Sequence, residues 1–559
     1  MDKPAISLHR LWSRLPPLRP GRFGWGTAQL TGATLVSRAI GFVYSAAVMR
    51  LAGPEAVGLF RMAWPLYSTA FTLATSGIPY AMAKLVAEQG EPPSPPRTPG
   101  APAAVPPRRG GEPTAVAVAV AGLALLAVTS ATIAGLLWAA APWLVGRLAG
   151  EPRAVEVLRL LAPSLLLATL ASGGRALFEG VRRMAVPAIS LVVEQAVLSG
   201  LAVLMTMALA RRDPSADAAA RALAVASVVG EAAGLVVLAA ALNGLWAAWR
   251  SRAGALPRRA AGTSPSTPRA ALVAIGRLAL PVATGRVLTS LGAALHALVL
   301  PARLQKGGLD ASQAAAQIGL LRGVAQPIVL LPNMLSVALM TTLVPSVSQA
   351  LARGRREHAR TYSDKALATT VLFALPITAL LVSVPEGITR LLYGEAQAAP
   401  LLAAGALSAP FVYLGQTLVG VLRGAGRPEV PVQAHLLGLA VDTALTAYLV
   451  ARPSVGILGA AWASVAGALA AWLVNQLVTL RVLGSRLSLR AFAWPALGAA
   501  AGAAAARALA GWAGELAVRA SLSPTLADGL ALACAAAALA VLYGACLTRC
   551  PLWRWLVQS

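Results

Sequence analysis

Seven of the charged side chains inside otherwise apolar segments are the residues whose types and positions could do chemistry. Four are basic and three are acidic: Arg38, Lys84, Arg286 and Arg322, and Glu194, Glu231 and Asp442. A charge near the centre of a bilayer costs about 2.5–3.5 kcal/mol on insertion scales, so it usually faces a bundle interior or a water-filled path. The sequence therefore predicts a hydrated cavity that is lined by charge.

The basic residues are candidates for binding a substrate. Arg38 and Arg286 fall near the middles of the first and seventh apolar segments. Lys84 lies towards the inner end of the second segment, and Arg322 lies towards the outer end of the eighth. For Arg38, binding of a substrate or counter-ion is favoured over a structural ion pair, whereas for Arg286 the two interpretations have equal support.

The acidic residues also have two interpretations. Glu194, Glu231 and Asp442 each lie well inside an apolar segment. They could pair with the arginines, or one of them could bind a proton or Na⁺ and so couple transport to an ion gradient. For any one of them ion pairing is the favoured interpretation, because an unpaired buried charge is strongly unfavourable.

The composition is that of a membrane protein. Of the 559 residues, 57% are hydrophobic and 12% are charged, and the mean hydropathy is +0.69, whereas about a quarter of the residues of an average soluble domain are charged. This excludes a water-soluble enzyme and a disordered chain, and three cysteines close together near the C-terminus do not make a disulfide scaffold. In such a chain the net charge of +26 does not indicate a nucleic-acid partner.

Windows of about 20 apolar residues predict an all-α polytopic fold of about fourteen membrane helices. Six lie near residues 28–51, 58–87, 114–140, 156–180, 185–210 and 218–247. Six more lie near 272–300, 318–346, 366–390, 401–424, 430–451 and 457–480, and a final pair lies near 492–512 and 526–547. We therefore expect two six-helix repeats followed by an extra helix pair.

The predicted organisation has five parts. They are a basic cytoplasmic tail (1–26), an N-terminal six-helix bundle (27–247) with a proline-rich cytoplasmic loop (88–113), a basic cytoplasmic linker (248–271), a C-terminal six-helix bundle (272–481), and an extra helix pair with a cytoplasmic C-terminus (482–559). Basic residues are retained on the cytoplasmic side, and they concentrate in the tail, the linker and the loops after spans eight and twelve. We expect a multi-pass protein of the cytoplasmic membrane with both termini in the cytoplasm.

A short repeat supports the two-bundle organisation. The residues Leu-Phe-Glu-Gly at 177–180 precede Pro187, and Val-Leu-Arg-Gly at 421–424 precede Pro431, with seven residues from glycine to proline in both cases. A tight turn explains both, with glycine allowing the reversal and proline starting the next helix. Repeats of six spans enter the membrane in the same sense and leave a cavity between them. Chance similarity of two Gly-Pro turns is the alternative.

Prolines interrupt the second and eighth spans at related places, and we interpret them as hinges for alternating access. They are Pro65, Pro79, Pro327, Pro332 and Pro345. Proline frees backbone groups of the preceding turn, which then need a cavity or a neighbouring helix to satisfy them. Static kinks that improve packing are the alternative interpretation.

Several short segments together are typical of one protein family, although no single segment identifies it. They are Ser-Arg-Ala-Ile-Gly-Phe at 37–42, Gly-Leu-Phe-Arg-Met-Ala-Trp-Pro-Leu-Tyr at 58–67, Ser-Gly-Ile-Pro at 76–79, Lys-Leu-Val-Ala-Glu at 84–88, and later pieces at 178–195, 327–332, 343–348 and 456–461. Over roughly residues 27–480 the chain resembles the stage V sporulation protein B family. This is a polysaccharide-transporter branch of the multidrug/oligosaccharidyl-lipid/polysaccharide exporter superfamily, which also contains MurJ-type lipid II flippases.

The resemblance implies a flippase that moves an undecaprenyl-pyrophosphate-linked saccharide, with lipid II for cell-wall or spore-cortex peptidoglycan as the leading candidate. Its partners would be this lipid-linked oligosaccharide, membrane lipids and, as an open expectation, cell-wall synthesis enzymes. The forked donors of arginine suit the diphosphate. MurJ-type sequences carry a second arginine shortly after the one that matches Arg38, whereas here Tyr44 occupies that neighbourhood.

Two other function classes remain. A cation-coupled multidrug or toxin antiporter of the same superfamily would favour acidic over basic residues in the cavity. A membrane glycosyltransferase would need a catalytic carboxylate on an outer loop, and the predicted outer loops are short. No ATPase is predicted, because none of the four lysines follows a glycine as a phosphate loop requires. We expect no metal and no cofactor, with coupling to H⁺, to Na⁺ or to the membrane potential left open.

Overall fold

The computed structural model describes residues 23–90, 114–212, 214–255, 268–485, 489–520 and 523–548, and these residues form helices and no strand. The all-α fold predicted from the apolar windows is therefore confirmed. Residues 1–22 of the basic tail, 91–113 of the proline-rich loop, 256–267 of the linker and 549–559 at the C-terminus lie outside the described residues.

The first half of the chain forms the helices that surround the candidate site. They are α1 (Phe23–Thr75), α2 (Ile78–Gly90), α3 (Ala115–Ala141), α4 (Arg153–Leu161), α5 (Ser164–Gly180), α6 (Ala185–Arg212) and α7 (Ala216–Ala255), with a π-helical turn (Pro142–Leu148) after α3. Helix α1 joins two predicted spans across a kink at Gly53, whose φ of 77° and ψ of 171° only glycine adopts readily.

The second half is divided into more and shorter pieces. They are α8 (Pro268–Lys306), α9 (Ala311–Gly319), α10 (Gln326–Leu330), α11 (Asn333–Ala352), α12 (Arg356–Ser383), α13 (Pro385–Tyr393), α14 (Ala399–Ala406), α15 (Ala409–Gly424), α16 (Glu429–Leu449) and α17 (Leu458–Leu483). A π-helical turn (Leu320–Ala325) separates α9 from α10. Beyond them, α18 (Leu489–Arg519) and α19 (Pro524–Thr548) pack along each other as the extra pair.

The helices are those of a multi-pass membrane protein. Among the described residues, ten helical segments are long and apolar enough to cross a membrane, or eleven if the bent pair Ala396–Ala406 and Ala409–Gly424 counts as one span. One of the ten, Gln29–Glu88, contains two of the predicted spans, and α16 and α18 are not among them. The number fourteen therefore stays a prediction.

The turn after α5 recurs after α15 with the same hydrogen bonds. The amide of Arg183 donates to the carbonyl of Phe178, and the amide of Arg427 donates to the carbonyl of Leu422, both at 2.9 Å. The short repeat in the sequence is thus also a repeat of backbone geometry.

The role predicted for the two glycines of these turns is wrong. The residues with positive φ are Arg182, at 59°, and Gly426, at 75°, whereas Gly180 and Gly424 are the last residues of α5 and α15. A Cβ at Gly180 would lie 2.8 Å from a carbonyl oxygen of α2, and one at Gly424 would lie 2.8 Å from a carbonyl oxygen of α11. These glycines therefore permit close helix packing rather than the chain reversal.

The two halves contact each other at glycine residues, at the same end of the structure as the kink at Gly53. A Cβ at Gly58 would lie 1.8 Å from the carbonyl oxygen of Ala315, and one at Gly319 would lie 1.8 Å from the carbonyl oxygen of Pro54. No side chain fits at such a distance, so α1 and α9 cross with backbone directly against backbone. We call this reciprocal contact the glycine crossing.

Polar contacts surround the glycine crossing. Glu55 accepts hydrogen bonds from Ser312 Oγ at 2.5 Å and from Arg153 Nη1 at 2.7 Å, and Arg153 also pairs with Glu151 at 2.9 Å. Gln305 Nε2, at the end of α8, donates to two carbonyl groups of the loop before α4, at 3.2 and 3.1 Å. The halves are therefore held together at this end in the observed conformation.

Helix α8 packs against both halves. Near its start, the carbonyl oxygen of Ala279 would lie 2.7 Å from a Cβ at Gly77, in the break between α1 and α2. Farther along, a Cβ at Gly292 would lie 2.5 Å from Cδ2 of Leu439 on α16. The sequence assigned this helix to the C-terminal bundle, and the structure shows that it also contacts N-terminal helices, at Ala279 and again at Gln305.

Gly319→Ala is expected to open the glycine crossing. The added methyl group would overlap a carbonyl oxygen of α1, and overpacking of this kind costs about 1–3 kcal/mol. Spin labels at Glu156 and Lys306, both exposed on opposite halves at this end, should report a longer distance in the variant by pulsed electron paramagnetic resonance.

Gly415→Ala serves as the matched control, because a Cβ at Gly415 meets no atom within 4 Å. Identical distance distributions in Gly319→Ala, Gly58→Ala and the control would show that the crossing does not hold the halves together.

Candidate functional site

A cavity of about 230 Å³ lies among α1, α6 and α7. Its wall consists of Gly41, Tyr44, Ser45, Val48, Val57, Phe60, Arg61, Trp64, Gln195, Leu198, Leu223 and Ser227. The sequence predicted a cavity between the two bundles, whereas this one lies within the first half and reaches the second at Ser45. The Ser45 hydroxyl donates to the carbonyl of Gly323, in the second π-helical turn, at 3.4 Å.

Arg61 is the one charged residue among those that line this cavity in the described part of the chain. Its guanidinium lies near the hydroxyl groups of Tyr44 and Tyr393. Tyr44, the residue that departs from the MurJ-type pattern, lines the same cavity as Arg61, which lies in the second predicted span. Sequence reasoning missed Arg61 because it lies near the edge of that span, where arginine is common.

Arg322 approaches the same region from the second half. It lies in the π-helical turn that precedes Pro327, and its Nη1 is buried without a hydrogen-bond partner. It interacts electrostatically with Asp442 and with Arg61. π-Helical turns inside α-helices often mark functional positions, since the extra residue displaces side chains from the regular helix face.

Neither Arg61 nor Arg322 takes part in a salt bridge within the described residues. The structure thus brings together two guanidinium groups, one from each half, without a carboxylate bonded to either. Such an arrangement has a strong electrostatic preference for an anion with several oxygen atoms.

The other predicted basic residues have different surroundings. Arg38 is exposed and lies seven residues before Ser45, hence on nearly the same face of α1 as the cavity. Arg286 is exposed on α8. Lys84 is about half exposed and lies 3.9 Å from Glu88, one turn later on α2. None of the three lines the cavity, and their roles in binding stay predictions.

The three acidic residues differ in their partners. Glu194 forms an ion pair with Arg175 of α5, a residue that sequence reasoning did not single out. Asp442 accepts a hydrogen bond from Thr446 Oγ1 at 3.2 Å and faces the charge of Arg322. Glu231 is buried and accepts a hydrogen bond from the Tyr67 hydroxyl at 2.7 Å. No group of three or more His, Cys, Asp or Glu side chains that could hold a metal occurs in the described residues.

Three of the five predicted hinge prolines stand at interruptions of helices. Pro79 follows the break at residues 76 and 77, both with positive φ; Pro327 follows the π-helical turn; and Pro332 precedes α11. Pro65 and Pro345 lie inside continuous helices. Whether any of them moves during function stays a prediction.

Two family models and two relatives from Bacillus subtilis match the chain. The family model described as "Polysaccharide biosynthesis protein" matches residues 23–351, and the MatE model matches residues 321–449. Stage V sporulation protein B of Bacillus subtilis is 27% identical over 472 residues, which are 84% of this chain and 85% of the relative. The lipid II flippase MurJ of the same organism is 24% identical over 443 residues, 76% of this chain and 77% of the relative.

Solved structures share the fold. The lipid II flippase MurJ in an inward closed conformation superposes with a TM-score of 0.63 at 14% identity, over 92% of this chain and 99% of that one. An inward-facing multidrug resistance MATE family transporter of the MOP superfamily superposes with a TM-score of 0.58 at 16% identity, over 80% of this chain and 94% of that one. The resemblance drawn from the sequence is confirmed.

Arg175→Met is expected to destabilise the protein by about 2–3 kcal/mol. Removing the cation leaves Glu194 largely buried without its partner, and the figure lies below the ~3–5 kcal/mol of a fully buried pair because both side chains keep some exposure. Thermal unfolding of the purified protein in detergent, followed by fluorescence, measures the change.

The double variant Arg175→Met, Glu194→Leu is the control, and it should regain most of the lost stability because neither charge remains. A double variant that is as unstable as the single one would show that packing, not the unpaired charge, causes the loss.

Proposed function

Since the chain belongs to the polysaccharide biosynthesis protein family, we propose that it is a flippase that moves an undecaprenyl-pyrophosphate-linked saccharide across the cytoplasmic membrane by alternating access. Lipid II is the substrate that we propose for it, and both termini lie in the cytoplasm in this proposal. Two relatives support the assignment through their names, since one is a stage V sporulation protein and the other is a lipid II flippase.

The observation that carries the proposal is the pair of guanidinium groups, Arg61 and Arg322, at the cavity and the adjacent π-helical turn. A diphosphate between sugar and lipid is the part of such a substrate that cannot enter hydrocarbon, and the forked donors of two arginines from opposite halves are of the kind that binds its oxygen atoms. Each half contributes one arginine. A movement of one half relative to the other would therefore change the separation of the guanidinium groups and their affinity for the diphosphate.

The closed glycine crossing supports alternating access. It joins the halves at one end by backbone contacts, a few hydrogen bonds and apolar packing, which can be broken and reformed without unfolding a helix. The apolar outer surface of the helices leaves the lipid tail in the bilayer while the polar headgroup crosses, so that only the headgroup requires a hydrated route.

A cation-coupled multidrug antiporter is the second candidate. The match of the MatE model to residues 321–449 and the fold shared with a MATE transporter favour it. The cavity lining opposes it, because a cation binder would need an acidic wall and Arg61 is the charged residue found among the described residues there.

Arg61→Ala and Arg322→Ala are each expected to lower the rate of lipid II translocation by about tenfold or more. A hydrogen bond to a charged group contributes about 1.5–3 kcal/mol, and about 1.4 kcal/mol corresponds to a tenfold change. The assay uses proteoliposomes with fluorescently labelled lipid II and measures its appearance in the outer leaflet by chemical quenching.

Arg452→Ala is the matched control, because Arg452 is exposed and lies over the Tyr448 ring at 4.2 Å, outside the cavity. The same liposomes are tested for export of a cationic dye. Dye export without lipid II translocation, unaffected by Arg61→Ala, would reject the flippase and favour the antiporter.

A further inference from the structure

Only one of the two carboxylate oxygens of Glu231, on α7, has a hydrogen-bond partner. The residue is buried, with 8% of its surface exposed. Its Oε1 accepts a hydrogen bond from the Tyr67 hydroxyl at 2.7 Å, whereas its Oε2 is buried without a hydrogen-bond partner. An ionised carboxylate in that position would be poorly solvated, since nothing from the protein replaces water at Oε2.

The charges around Glu231 do not balance if it is ionised. The groups that face it are the Tyr67 hydroxyl from α1, Ser164 from α5, Glu194 from α6 and Arg175 from α5. Arg175 is already bonded to Glu194. One cation therefore serves two acidic groups, and the second carboxylate has no cation partner among the described residues.

A metal cation does not resolve this imbalance. Besides the carboxylate, the oxygen atoms that the hydrogen bonds of the described residues connect to it are the hydroxyls of Tyr67 and Ser164, which bond each other at 3.0 Å, and Tyr67 already donates to Glu231. A hard cation needs about six oxygen ligands. A single proton on Glu231 removes the unpaired charge without any further ligand.

We propose that Glu231 is a proton-binding site, and that its proton sets the charge of the cavity that contains Arg61. The part of this inference that concerns substrate rests on the proposed function, whereas the proton site itself rests on the geometry of Glu231 alone.

The site lies directly behind the cavity wall. Ser227, one helical turn before Glu231 on α7, lines the cavity. Trp64 also lines it, and the Trp64 ring lies 5.3 Å from the ring of Tyr67, the hydrogen-bond donor to Glu231. Loss of the proton places a negative charge behind this wall and weakens the attraction of Arg61 for an anion. By linkage, an anion in the cavity favours the proton on Glu231 to the same extent.

Infrared spectroscopy of the purified full-length protein tests the proton site without any transport assay. At about pH 7, where exposed carboxyl groups are ionised, the wild type should show the carbonyl stretching band of a protonated carboxyl group. Glu231→Gln should remove that band, and Tyr67→Phe should keep the band but shift it, because the hydrogen bond to Oε1 is lost.

Glu156→Gln is the matched control, since Glu156 is exposed and paired with Arg221, and this variant should leave the band unchanged. If the protonated-carboxyl bands of Glu231→Gln are the same as those of the wild type, the proposal is overturned. Tyr67→Phe keeps the ring and its packing, so an unshifted band in that variant would overturn it as well, even if Glu231→Gln proved unstable.

Binding of farnesyl diphosphate, a short prenyl diphosphate, tests the link to the cavity. Between about pH 6 and about pH 9, the ratio of wild-type affinity to Glu231→Gln affinity should fall about tenfold, the equivalent of about one pH unit of proton linkage. The terminal phosphate of the ligand also ionises in this range, with a second pKa of about 6, and this effect is common to both proteins and cancels in the ratio. Equal pH dependence in wild type and Glu231→Gln would overturn the linkage. If the infrared result holds but lipid II is not translocated by the wild type, the proposed function fails while the proton site stands.

Discussion

A guanidinium group in a low-dielectric interior must find an acidic partner, water or a ligand, and the arrangement of the chain depends on how each arginine meets this requirement. Arg153 and Arg175 meet it with carboxylates, and both then serve to join helices. Arg61 and Arg322 have no bonded carboxylate within the described residues, although Asp442 faces Arg322. The structure thus separates arginines that form ion pairs between helices from arginines whose guanidinium groups have no bonded carboxylate.

The same requirement explains why acidic residues in similar apolar segments take different roles. Glu194 lies within reach of an arginine on a neighbouring helix, Asp442 faces Arg322 of the same half, and Glu231 faces hydroxyl groups, another acid and an arginine that is already paired. Spacing along the chain cannot separate these cases, because each residue is simply one acid in a long apolar run. The difference lies in which helix packs beside it, and that is decided by the tertiary fold.

Fold class and the internal repeat were accessible from the sequence, since long apolar windows and a recurring Gly-to-Pro step depend only on local chain properties. Arg322 could be singled out for the same reason, as a charge inside an apolar run. The glycine crossing could not be foreseen: Gly58 and Gly319 resemble many other glycines in the chain, and their importance arises only where two backbones touch. Arg61 was missed because arginine is common near the end of a span. The cavity predicted between the two bundles stays a prediction, and the cavity that Arg61 lines lies within the first half.

Helix α8 belongs to neither half alone. Ala279 lies against the break between α1 and α2, Gly292 lies against Leu439 of α16, and Gln305 at the end of the helix donates to the loop before α4. Because α8 contacts both halves along its length, the halves cannot move apart without breaking at least one of these sets of contacts. The strength of these contacts therefore contributes to the energy barrier between the conformations of the protein.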